Sequence, residues 1–207
     1  MGEESYWDVR AAQASAYKRE ETPGPELYAS ILYNWHCAHV LVGEKQGDEL
    51  KIISQDMLYV VPQGDGVYWL SPVVDYLHPY LGNIVEIYID VTGDKFKTMT
   101  SALKESGLEP YIHTNRISKE KGMLGVYIDS PYNYHLKQTL RSLINNKKIH
   151  YDLYSRFGLR FLYDLENCIV TKGSGDYLNF KAPDGANIDV LDCTSLLCMC
   201  MDDQKSE

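Results

Sequence analysis

The chain has 207 residues, 44% of them hydrophobic and 24% charged, with a formal net charge of −9. That is enough chain for a sizeable buried core, and too apolar for a disordered one. The acidic balance argues against a generic polyanion binder, no apolar run approaches the ~20 residues of a membrane helix, and Met1-Gly2-Glu3-Glu4 is no secretory signal, so a cytoplasmic protein is expected.

Residues 3–20 are patterned as an amphipathic helix or a docking arm, and Thr22-Pro23-Gly24-Pro25 breaks the chain after them. Leu27, Ile31 and Trp35, at intervals of four, predict a helix starting at Pro25. Four β-like runs follow, at 38–42, 50–53, 57–61 and 67–70. Gly47-Asp48 and Gly64-Asp65-Gly66 lie between them as hairpin turns, so a small antiparallel meander is expected.

The middle of the chain contains a near-repeat: Ile87-Tyr88-Ile89-Asp90 returns as Val126-Tyr127-Ile128-Asp129. Residues 84–90 read as a strand by alternation. Phe96, Met99 and Leu103 mark a helix over 94–106 that stops at Gly107, and 110–116 and 123–129 read as further strands. Ser130-Pro131 starts a helix carrying Leu136, Leu140, Leu143 and Ile144, and 149–154 reads as a last strand. The order β-α-β-β-α-β is the split pattern of an antiparallel ferredoxin-like sheet. The link 116–123 reads as too short for a helix, which makes it a hairpin. Short strands are expected again at 159–165, 168–170, 177–180 and 188–191. The expected organisation is therefore a helix and meander over 1–82, a ferredoxin-like core over 83–156 and a β-rich extension over 157–207, packed as one unit.

Charge and residue type suggest where ligands bind. Residues 83–156 carry 11 basic and 8 acidic side chains, whereas both flanks are acidic. Parity puts Tyr88, Tyr127 and His113 on one sheet face, beside a basic hairpin bearing Arg116, Lys119 and Lys121. These six are the candidate ligand-binding residues. Seventeen tyrosines and acidic flanks point first to a non-enzymatic protein that engages a protein partner. Nucleic-acid or nucleotide binding through the sheet face and the hairpin is the alternative, since arginine and lysine suit phosphate. The remaining alternative is metal-dependent phosphoryl transfer centred on Asp90, with Asp94 and Glu120 nearby. An antiparallel sheet would put Asp90 and Asp129 at opposite edges, roughly 17–20 Å apart. No metal or cofactor is expected. Cys193, Cys198 and Cys200 alternate with Leu197, Met199 and Met201 as packing residues do, although their spacing also resembles half of a metal site.

Two family resemblances attach to particular residues. Ile87-Tyr88-Ile89 and Lys121-Gly122-Met123-Leu124-Gly125-Val126-Tyr127-Ile128 resemble the two strand motifs of RNA-recognition motifs. That resemblance implies RNA stacked on Tyr88, but Met123 and Gly125 stand where the family's other stacking aromatics fall. Tyr134-His135-Leu136-Lys137 is similar to the Tyr-x-x-Lys of rolling-circle replication nucleases, without that family's paired-histidine motif.

Overall fold

A computed structural model describes residues 6–14, 24–34, 37–59, 62–63, 67–68, 70–92, 97–173 and 175–202. Strand β1 (Leu27–Asn34) pairs antiparallel with β2 (Cys37–Gln46), and β2 pairs antiparallel with β3 (Glu49–Tyr59) through the turn at Gly47-Asp48. The expected runs at 38–42 and 50–53 do pair across this turn, but the run at 50–53 and residues 57–59 of the run expected separately after it lie in one strand. Val67–Tyr68 belongs to a separate two-stranded sheet, and the first strand here is the segment read as a helix. Leu27 and Ile31 are four apart, and four is an even interval, so a strand also places them on one face. Burial decides between the two readings. Leu27, Ala29, Ile31 and Tyr33 pack on one side of the sheet while Tyr28 and Leu32 pack on the other, as in a central strand covered on both faces.

Short strands β4 (Pro62–Gln63) and β5 (Val67–Tyr68) and helix α2 (Ser71–Leu77) return the chain to β6 (Ile84–Ile89). Strand β6 lies parallel to β1, with Leu27 opposite Ile84 and Ile31 opposite Ile89. Strand β7 (Ile149–His150) adds in parallel to β3. The five-stranded sheet has the order β6-β1-β2-β3-β7 and is mixed. The ferredoxin-like antiparallel sheet is therefore incorrect. Strand β6 finds its partner outside 83–156, in β1.

The two inner strands expected at 110–116 and 123–129 reduce to single parallel bridges, Ile112 to Ile87 and Val126 to Asp90. Those segments still satisfy the free edge of β6. His113 N–H donates to Ile87 C=O (3.0 Å), Val126 N–H to Ile89 C=O (2.7 Å) and Val91 N–H to Val126 C=O (2.9 Å). Between them lies a helix, not a hairpin. After α3 (Lys97–Glu105), the one-turn helix α4 (Arg116–Glu120) starts at Asn115, whose Oδ1 accepts the Ser118 N–H. One turn needs few residues, so the short link excluded only a longer helix.

Helix α5 (Ser130–Asn145) begins where expected, with the Asp129 carboxylate accepting the Tyr132 N–H as its cap. Helix α6 (Arg156–Asn167) replaces the strand expected at 159–165. Phe157, Phe161 and Leu165 are buried at helical spacing, and Ser155 caps the start. The hairpin of β8 (Ile169–Lys172) and β9 (Leu178–Lys181) is present. Helix α7 (Asp189–Leu197) replaces the strand expected at 188–191. Its residues Val190, Leu191, Cys193, Thr194, Leu196 and Leu197 are buried nearly all round, so it shows no amphipathic stripe. One sheet face is covered by α5, α6, α7 and α1 (Val9–Ala14), the other by α2 and α3. Among the described residues no helix is long and apolar enough to cross a membrane. Residues 3–5 and 15–20 of the expected N-terminal helix lie outside the described ones.

The C-terminal cysteines belong to α7 and the turn after it, not to an alternating strand. Cys193 Sγ donates to His39 C=O (3.4 Å), and burial pushes its thiol up to about 12. Cys198 Sγ donates to Thr194 C=O (3.3 Å), and burial raises its thiol well above the ordinary value. Protonated thiols are poor metal ligands.

Candidate functional site

Strands β1 and β6 run side by side in the same direction, so their carboxyl ends open on one edge of the sheet. Parallel sheets leave a crevice for ligands at such an edge. Asp90 stands there as the first residue past β6, its N–H donating to Ile31 C=O (3.3 Å). Its Oδ1 accepts the Thr92 N–H (2.8 Å), a local turn that aims the carboxylate. Thr92 Oγ1 in turn accepts the Ile128 N–H (2.8 Å) and donates to Ile128 C=O (3.3 Å), which ties this corner to the segment before α5. Helix α7 crosses β1, anchored where Ser30 Oγ donates to Cys193 C=O (2.8 Å), and it brings Asp192 to the same edge. The resulting cleft of about 170 Å³ is lined by Asp90, Thr92, Asn133, Asp192 and Ser195, with Leu32 from β1.

A cation lies beside the cleft. Lys137 of α5 is fully buried, and its ammonium donates to Asp192 Oδ1 and to Ser195 Oγ (2.8 Å). The Ser195 hydroxyl donates its hydrogen bond to Leu191 C=O (2.7 Å), so its oxygen is free to accept from the lysine. A buried ammonium needs such fixed acceptors, because desolvating it without them costs several kcal/mol.

The sequence-predicted residues divide into three groups. Asp90 lines the cleft, Asp94 lies outside the described residues, and Glu120 is an exposed partner of Arg116 (3.0 Å) that does not line the cleft. Asp129 does share an edge with Asp90, since the bridges are parallel, but it serves as the α5 cap. Tyr88 is not available to stack on a ligand. It has no solvent exposure, because α5 and its neighbours cover the sheet face expected to be open. Its hydroxyl donates to Glu86 (2.7 Å), and burial raises its pKa. His113 joins that same unit through Glu86 (3.2 Å). Arg116, Lys119 and Lys121, by contrast, are exposed on and just after α4, and Lys121 Nζ lies 3.6 Å from the centre of the Tyr127 ring. The Asn115 amide donates to Tyr127 C=O (2.9 Å), which fixes α4 one residue from Ile128 in the cleft wall. Tyr134 packs edge-on to Tyr177, and Lys137 is committed to Asp192, so Tyr-x-x-Lys is not a nucleophile pair here.

Sequence reasoning missed Leu32, Lys137, Asp192 and Ser195. One signal was present: Lys137, Leu140 and Ile144 lie at i, i+3 and i+7, which puts the lysine on the buried stripe of α5.

The mixed sheet with helices on both faces matches the ribonuclease H-like fold seen in phage large terminase nucleases. The large terminase nuclease of thermophilic phage G20c superposes with a TM-score of 0.55 at 12% identity, over 94% of this chain and 98% of that one. The same nuclease with bound magnesium gives 0.54 at 13% identity, over 91% and 95%. The large terminase of bacteriophage HK97 gives 0.51 at 10% identity, over 94% of this chain but only 43% of that longer one. No protein-family model and no curated protein matches the sequence.

This likeness overturns the expectation of a protein-partner module with an acidic, tyrosine-rich surface. The neighbours are nuclease domains, and many tyrosines face inward: Tyr28, Tyr33, Tyr88 and Tyr151 are buried.

A magnesium-bound neighbour raises the question of whether these residues fit a metal. Among the described residues no group of three or more His, Cys, Asp or Glu side chains could hold one. The cleft offers two carboxylates, one already bound to an ammonium, the oxygens of Thr92, Asn133 and Ser195, and a leucine from β1. Magnesium keeps several waters and is commonly held by one or two carboxylates, so what stands against it here is the buried ammonium already bound to Asp192.

Proposed function

We propose that this protein binds nucleic acid along the rim of the cleft, with Arg116, Lys119 and Lys121 contacting the phosphate backbone. The single observation that carries the reading is the anchoring of α4. Asn115 holds this exposed basic turn against Tyr127, next to the cleft wall, so three cations border the edge where the sheet opens. The terminase nucleases that share the fold support the same class of ligand. Lysine and arginine contacts to phosphate carry no base sequence, so binding without strong sequence preference is expected. Fluorescence anisotropy with labelled duplex DNA, single-stranded DNA and RNA tests the proposal. Lys119→Glu with Lys121→Glu weakens binding about tenfold or more, with the circular dichroism spectrum unchanged. Equal affinity of this variant and the wild type for every probe overturns it.

A further inference from the structure

The disagreement between this cleft and a metal centre has its own chemistry. Phosphoryl-transfer sites bring carboxylates from several elements within a few ångströms of shared cations. Here the β6 end supplies Asp90 and α7 supplies Asp192, while β1, the strand between β6 and β2, reaches the cleft with Leu32. An apolar side chain there offers a cation no ligand. Asp192 is already neutralised by Lys137, which has no solvent exposure and is further held by Ser195. A dication bound at Asp192 would lie against this buried ammonium. The lysine would have to lose its proton or be displaced among Leu140, Leu191 and their neighbours in the core.

We infer that the cleft holds an internal cation in place of a divalent metal: Lys137 satisfies Asp192, Leu32 offers no ligand, and the site does not take up Mg²⁺ or Mn²⁺. On the reading that α4 binds nucleic acid, the bound strand is held and left uncut.

Electron paramagnetic resonance of Mn²⁺ with the full chain tests the inference directly and needs no activity. The wild type shows no saturable Mn²⁺ binding at millimolar concentration. Leu32→Asp combined with Lys137→Met adds a ligand and removes the competing cation, so Mn²⁺ affinity rises about tenfold or more. Saturable binding by the wild type that disappears in Asp90→Asn or Asp192→Asn overturns the inference. So does a double variant that is folded by circular dichroism yet gains no affinity. Where the double variant fails to fold, the wild-type titration decides. Nucleic-acid binding is measured separately in a chelator, so failure of the α4 proposal leaves the Mn²⁺ result standing.

Discussion

At the scale of single residues, the Lys137–Asp192 pair sets a measurable asymmetry. Lys137 is wholly enclosed, whereas the Asp192 side chain is 39% exposed. Removing the aspartate strands an ammonium in the core, and breaking a buried pair in this way costs about 3–5 kcal/mol. Replacing the lysine by an apolar side chain of similar length leaves a carboxylate that water still reaches. Asp192→Ala is therefore expected to destabilise by about 3 kcal/mol and Lys137→Met by distinctly less. Urea unfolding of both single variants and the double variant should give a coupling energy of about 1–3 kcal/mol. Equal losses in the two single variants would show that the lysine is solvated, not enclosed. The same scale explains Tyr88. It had the right residue type and the right strand parity for a stacking platform, but parity assigns a face without saying what covers it. Leu136, Leu140 and Val126 lie in the cluster that encloses it.

At the scale of elements, the position of the bridge at Val126 depends on Gly125. Its φ of 127° lies in the region that favours glycine. A Cβ there would meet Ile89 C=O at 2.8 Å and Val91 Cγ1 at 2.7 Å. The glycine therefore allows the segment before α5 to lie against the end of β6, which sets Ile128 and Thr92 around Asp90. Gly125→Ala is expected to destabilise by about 1–3 kcal/mol, read from the thermal midpoint. A midpoint at the wild-type value would mean the segment relaxes without strain. Element type was legible where the period was unambiguous. Strand β6 and helix α5 appear as expected, and the turn at Gly47-Asp48 joins two of the expected strands. It was illegible where tertiary burial replaced the pattern. β1 is apolar on both faces and its spacing of four suited either period, while α7 is buried nearly all round and lacks a stripe.

At the scale of the whole molecule, the net charge of −9 argues that any attraction to a polyanion is local. Binding through the three cations of the α4 rim is expected to show a slope of log affinity against log salt of about −2 to −3. In Lys119→Glu with Lys121→Glu, whatever binding remains should have a slope smaller by about 2. Anisotropy titrations at several salt concentrations measure both, and a salt-independent affinity would exclude the α4 rim as the phosphate contact.

By itself, the sequence determined the basic charge in the middle of the chain, a strand ending at Asp90, a helix starting at Ser130-Pro131 and a cluster of cations at 116–121. Those features depend on periodicity, capping and local charge, which act over a few residues. Only the tertiary structure decided that β6 pairs in parallel with β1, that helices cover the tyrosine face, and that Leu32, Asp90, Lys137 and Asp192 meet at one edge. Those four residues come from elements far apart in the chain, and no local spacing encodes which strand or helix a segment will pack against.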